Sequence, residues 1–221
     1  MTATHATFDT FVFDLDGTLL DTLPDLVVVT NQALAELGFP PRSTDEIHSF
    51  VGNGVRALMY QAVPENTPDT QAEEALAHWK ALFPTYKNDL TKPYPGMPEA
   101  LARLGERGVR LGVLSNKFDA GVQQVMNQFM PGVFSVMHGE CEDIPRKPDP
   151  TGLLRTIGEL GSKPARTAYV GDSPGDVRTA RNAGTFSIGV AWGYHHADEL
   201  REAGADAIVA TPEDLLHFAG M

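Results

Sequence analysis

The sequence predicts an α/β protein, a Rossmann-like parallel sheet flanked by helices, with an all-helical domain inserted after the first strand. Three observations carry this reading. Short apolar runs rich in Val, Ile and Phe recur and close on polar or glycine residues, as strands buried on both faces do. Helical patterns separate most of these runs, the alternation that a parallel sheet requires. Residues 22–89 break the alternation with helical patterns and no convincing strand.

The first strand is TFVFD, Thr10 to Asp14. The inserted block follows, with helices expected at Leu26–Leu37, Val55–Val63 and Gln71–Phe83 and hinges near Leu20–Pro24 and Thr91–Pro95. The expected division is therefore a discontinuous core, residues 1–20 and 91–221, and an inserted domain, residues 21–90. Within the core, a helix at Pro98–Arg107 leads to a strand at Val109–Asn116. A helix at Ala120–Phe129 and a strand at Val133–Gly139 come next. Thr151–Leu160 reads as a helix, Thr167–Asp172 as a strand and Pro174–Asn182 as a helix. Phe186–Trp192 and a final run ending at Ala210 complete the sheet.

Bulk properties exclude several functions. A chain of 221 residues with a formal charge of −12 lacks the clustered Lys and Arg that nucleic acid requires. It has no apolar run long enough to span a membrane, and its first residues, MTATHATFDT, lack the pattern of a signal peptide. A single cysteine, Cys141, allows no internal disulfide and fits a reducing cytoplasm. Nothing selects monomer over homodimer. An anionic substrate would be repelled at long range unless its site carries local positive charge.

Asp14 and Asp16, separated by Leu15, close the first strand and precede Gly17. Adjacent carboxylates resist joint ionisation, so the pair is either a solvated turn or a cage for a cation. A third carboxylate, Asp172, ends another strand, with Asp176 one helical turn later. Oxygen ligands alone favour a hard divalent ion, Mg²⁺ above all. Lys147 lies in RKPDP, where Pro148 and Pro150 stiffen the loop around it, with Asp149 placed to cap the next helix. Ser115, Asn116 and Lys117 follow the second strand, and Ser173-Pro174 starts a helix whose free amides face the same edge. Together these parts form a phosphate site on the carboxyl edge of the sheet.

DLDGT (Asp14–Thr18), LSN (Leu114–Asn116), KPDP (Lys147–Pro150) and GDSPGD (Gly171–Asp176) resemble, in order, the four motifs of the haloacid dehalogenase superfamily. The helical insert resembles that superfamily's C1-type cap. The resemblance implies a phosphatase in which Asp14 is the nucleophile, Asp16 the general acid and base, and Lys147 the neutralising cation. It implies Mg²⁺ held by Asp14, Asp172 and the backbone carbonyl of Asp16, with Asp176 behind them. Thr18, Ser115 and Asn116 are the expected phosphate-side residues. The superfamily's dehalogenases lack the second acid, so Asp16 points to phosphate esters.

Within the superfamily the chain is similar to phosphoglycolate phosphatases in VFDLDGTLLDT, Gly52-Asn53-Gly54, PYPGMPEAL and GDSPGDVRTARNAG. That implies a small anionic phosphorylated metabolite, 2-phosphoglycolate first, with Asn53, Gly54 and Arg56 presented to its anionic tail. Sugar phosphates, nucleotides and pyrophosphate are the other substrates that related caps serve. A β-phosphoglucomutase-like isomerase would share the core, but its arginine motif finds only a loose match in Arg56. A non-catalytic role fits poorly with intact motifs. Outside these motifs, Asp21 reads as a helix cap, Cys141 as inert, and His195-His196 as a loop pair without further zinc ligands.

Overall fold

The computed structural model describes residues 7–219. Strand β1 (Thr10–Phe13) leads through a tight loop to β2 (Leu20–Asp21), then to helices α1 (Leu23–Glu36), α2 (Thr44–Phe50), α3 (Gly54–Ala62) and α4 (Asp69–Leu82). The chain returns through β3 (Lys92–Pro93) and α5 (Met97–Glu106) to β4 (Arg110–Phe118), α6 (Asp119–Phe129) and β5 (Val136–Glu140). After α7 (Thr151–Glu159) come β6 (Thr167–Gly171), α8 (Pro174–Ala183), β7 (Phe186–Val190), α9 (Ala197–Ala203) and β8 (Ala207–Val209).

Six strands form one sheet in the order β5-β4-β1-β6-β7-β8, and every pairing in it is parallel. This is the predicted Rossmann-like fold. β1 is central and its Phe11, Val12 and Phe13 are fully buried, each contributing about 1.5–3 kcal/mol by burial. Phe13 pairs with Val113 on one side and Val170 on the other. Asp14, Ser115 and Asp172 therefore emerge within two residues of one level on the carboxyl edge.

The apolar core runs without a break from the sheet into the inserted helices. Trp79 is its pivot: the indole N–H donates to Thr30 Oγ1 at 3.1 Å, and the ring stacks on Phe83 and meets Phe118 of β4 edge-on. Among the described residues no helix is long and apolar enough to cross a membrane.

Several elements differ from expectation. Helix α2 was not expected, because seven residues with only Ile47 buried give no apolar period. Its signal was a capping box, in which Ser43 N–H donates to Glu46 Oε2 and Glu46 N–H to Ser43 Oγ. Helix α9 is equally short; His196 N–H donates to Glu199 at its start. The hinge segments pair as the antiparallel ribbon β2–β3, too brief for any pattern. β4 extends to Phe118 through a register shift after Leu114.

Asp21 does not cap α1. It lies on β2, and Thr22 and Leu23 donate their backbone N–H groups, each at 2.9 Å, to the hydroxyl of Tyr194. That hydroxyl is 3.3 Å from Asp21 Oδ1, its acceptor. The carboxylate that secures α1 is Asp25, which is buried and accepts from Leu90 N–H, Thr91 N–H and Thr91 Oγ1. It fastens the outgoing hinge to the returning one. Asp25→Ala strands these donors and is expected to lower stability by about 2–3 kcal/mol, read as a fall in the urea midpoint at constant m-value.

Candidate active site

The loop after β1 turns within one residue of the acidic pair. Gly17 has φ +83°, and a Cβ there would collide with the Asp172 and Tyr194 side chains. Only glycine allows Asp14 and Asp16 to approach Asp172 so closely. Asp14 is buried, and its N–H continues the β1–β6 ladder by donating to Val170 at 2.9 Å.

Lys147, also buried, sits 2.8 Å from Asp14 Oδ1 and 2.7 Å from Asp176 Oδ1. The contact with Asp14 is an ion pair out of line for a hydrogen bond, so that buried oxygen accepts none. Asp176 is fully engaged: Lys147 and Tyr169 reach Oδ1, while Ser173 N–H and Oγ reach Oδ2. Asp172 accepts from Thr18 Oγ1 at 3.1 Å and Tyr194 N–H at 2.7 Å. Carboxylate oxygens of Asp14, Asp172 and Asp176 lie within 4.8 Å of one another.

These surroundings set the charges. Burial, reinforced by Asp176 and Asp172 against the pull of Lys147, pushes Asp14 up to about 7. Burial also disfavours the charged form of Asp176, but Lys147 and the Ser173 hydrogen bonds outweigh it and hold that carboxyl low. Burial alone would lower Lys147, yet the charges of Asp14 and Asp176 keep it well above the usual range. A buried carboxylate oxygen with no hydrogen bond, in an all-oxygen cluster, fits a hard divalent cation. Asp14 and Asp172 have the capacity to hold it, with the saturated Asp176 fixing Lys147 behind them.

Asp16 has different partners. Its Oδ1 accepts from Thr22 Oγ1 at 2.6 Å, and Lys117 Nζ lies 3.1 and 3.3 Å from its two oxygens. Asn116 Oδ1 accepts from Lys147 N–H, and its Nδ2 donates to the Gly52 carbonyl, both at 2.8 Å. Arg146 donates to the Asn53 carbonyl at 2.6 Å. A Cβ on Gly54 would press on Glu140 and the Asn116 carbonyl, so glycine there lets the helical insert sit directly on the core.

Asp14, Asp16, Ser115, Asn116, Lys147 and Asp172 face one cavity of about 310 Å³, roofed by Gly54 and other residues of the insert. Three expected residues lie elsewhere. Thr18 is fully buried beneath the cavity, where it binds Asp172 and accepts from Trp192 Nε1 through its carbonyl; it supports a carboxylate rather than a phosphate. Asn53 does not line the cavity. Arg56 projects outward, donating to Glu73 at 3.0 Å and lying over the Tyr60 ring. The buried stripe of α3 is Val55, Leu58, Met59 and Ala62, and helical periodicity turns Arg56 away from it.

Sequence reasoning missed Thr22, which donates to Asp16 six positions earlier, and His48 and Tyr194, which join the site through tertiary contacts. Lys117 had a local signal, since it follows Ser115 and Asn116 directly. His195 and His196 both border the cavity. Hydrogen bonding to Asp172 raises the His195 pKa. Among the described residues the side chains grouped for a metal are the three aspartates.

Residues 11–190 match the family described as haloacid dehalogenase-like hydrolase. The chain is 35% identical over 191 residues to a phosphoglycolate phosphatase of Pseudomonas putida, covering 84% of this chain and 70% of that one. It is 32% identical over 207 residues to an N-acetylmuramic acid 6-phosphate phosphatase of Pseudomonas aeruginosa, covering 93% and 92%. A crystal structure of a candidate phosphoglycolate phosphatase from Lactobacillus delbrueckii subsp. bulgaricus superposes with a TM-score of 0.88 at 30% identity, covering 96% and 98%.

The Asp14 environment predicts a pH-dependent stability change. The folded-state value, about 7, lies above the ordinary 3.8. The stability tied to its protonation is therefore complete below that ordinary value and is lost as pH rises through the folded one. In chelator-treated protein, Asp14→Asn is expected to melt above the parent at pH 8, with the gap closing as pH falls towards 4. Equal melting temperatures at both pH values would contradict this electrostatic account.

Proposed function

The chain belongs to the haloacid dehalogenase-like hydrolase family and is a phosphoric monoester hydrolase, and we propose that it hydrolyses 2-phosphoglycolate through an aspartyl-phosphate with Mg²⁺ as cofactor. The observation that carries the reading is Asp14, which lines the cavity while its buried Oδ1 lies 2.8 Å from Lys147 and accepts no hydrogen bond. A carboxylate without a hydrogen bond, beside a fixed cation, is a nucleophile waiting for an electrophile.

In the first step Asp14 attacks phosphorus and the P–O bond to the alcohol breaks, while Asp16 supplies the proton that the leaving oxygen needs. In the second, Asp16 takes a proton from water, which attacks phosphorus and releases phosphate, returning Asp14 to its carboxylate form. Lys147 neutralises Asp14 and the phosphoryl oxygens throughout. The Ser115 hydroxyl, which lines the cavity with Asp14, donates a hydrogen bond to the phosphoryl oxygens, and Asn116 fixes the Lys147 backbone. Held by Asp14, Asp172 and the Asp16 carbonyl, Mg²⁺ would offset charge and align the phosphoryl group. The helical insert, residues 21–90, acts as the cap that closes over the leaving group.

A second reading rests on the roof. Leu26, Val55, Leu58 and Trp79 give it an apolar wall, and the cavity is roomier than glycolate requires. A sugar phosphate is the alternative, in keeping with the relative named for N-acetylmuramic acid 6-phosphate.

A substrate panel with and without Mg²⁺ tests both readings. The expected result is highest kcat/KM on 2-phosphoglycolate, abolished by chelation and by Asp14→Asn. Preference for sugar phosphates would select the second reading, while full activity of Asp14→Asn would overturn the mechanism. Thr18→Val, which removes the bond that orients Asp172, is expected to weaken Mg²⁺ activation by about 10-fold with little change in substrate KM at saturating metal.

A further inference from the structure

We propose that Lys117 is the residue that binds the carboxylate of the leaving group, giving the site its selectivity for phosphoesters of 2-hydroxy acids. The inference rests on the phosphatase reading above and supplies the cation that Arg56 does not.

Two side chains of Lys or Arg line the cavity, Lys117 and Lys147. Lys147 is committed to Asp14 and Asp176 at the phosphoryl end. Lys117 is instead paired with Asp16 and has only 5% of its side chain exposed. An ammonium has three donors, and one carboxylate does not exhaust them.

The backbone aims it there. Lys117 falls in the part of β4 where the register with β5 shifts, between Leu114 and Phe118; such irregularities re-aim a side chain. Its Nζ lies over the Phe83 ring, 5.4 Å from the centroid, and Phe83 is held by Trp79 and Phe118. The ammonium is thus placed before any ligand arrives, which lowers the entropic cost of binding.

Position supplies the chemical class. Asp16, as proton donor, must lie within hydrogen-bonding reach of the ester oxygen. Lys117 is 3.1 and 3.3 Å from the Asp16 oxygens, and so beside the group that Asp16 would protonate. In 2-phosphoglycolate a single methylene separates the ester oxygen from the carboxylate carbon. A substrate seated against Asp16 therefore brings its carboxylate beside Lys117, which then bridges the two carboxylates. In a chain of formal charge −12 this local cation also offsets the repulsion of an anionic tail.

The test compares 2-phosphoglycolate with its neutral carbamoylmethyl phosphate analogue, in the parent and in Lys117→Met and Lys117→Gln. The parent is expected to favour the carboxylate in kcat/KM by about 10- to 100-fold, the value of a charge-assisted hydrogen bond. Both variants are expected to lose turnover on both substrates, because Asp16 loses its partner, but the ratio should fall to near one, chiefly through KM for the carboxylate. A residue that only supported Asp16 would leave the ratio unchanged, and that outcome overturns the proposal while sparing the phosphoglycolate reading. A parent ratio near one overturns both. Turnover of the amide analogue, with a melting curve, certifies that each variant is folded.

Discussion

One buried ammonium holds the site together. Lys147 stands between Asp14 and Asp176, all three largely removed from water, and without it two carboxylates would face each other in a low dielectric. Uncompensated charge in such a place costs several kcal/mol. The compensation is unequal. Asp176 receives Lys147, Tyr169 and Ser173, whereas Asp14 receives the lysine charge alone. The arrangement satisfies Asp176 and leaves Asp14 with a buried oxygen that accepts no hydrogen bond.

The rest of the fold serves that asymmetry. A parallel sheet with β1 at its centre brings β4 and β6 to either side, so residues distant in sequence meet at one edge. Asp172 is steadied from below by Thr18 and from the side by the Tyr194 backbone. Burial, and then the charge of Asp16, keep the Tyr194 phenol protonated, so its hydroxyl can accept from Thr22 and Leu23 while donating to Asp21. One residue after the last long strand thus touches a carboxylate of the candidate metal cluster and the root of the helical insert.

Most of the sheet and the long helices were legible in sequence, because burial on both faces of a strand or one face of a helix leaves a periodic record. Asp14, Asp16, Ser115 and Asp172 were legible as polar residues at strand ends, and Lys147 as a lysine in a proline-stiffened loop. Elements under about two turns left no period; only the Ser43–Glu46 pair marked α2. Arg56 misled because a charge beside a glycine loop says nothing about which side of the helix it occupies; the apolar stripe of α3 did. Tyr194 was invisible because Thr22 and Asp172, which it touches, lie 172 and 22 positions away, while Thr22, only six residues from Asp16, carried no pattern to mark it.

The amide of Asn116 has a consequence for rigidity. One end grips the Lys147 backbone and the other the Gly52 carbonyl of the insert. A single side chain therefore touches both the helical insert and the lysine loop. A displacement that lifts Gly52 away from the core breaks the bond at Nδ2 and leaves the Oδ1 that accepts from Lys147 N–H on a side chain held at one end fewer. The side chain that fixes the Lys147 backbone is thus itself fixed by the helical insert, so the seating of the insert and the rigidity of the lysine loop are coupled through one residue.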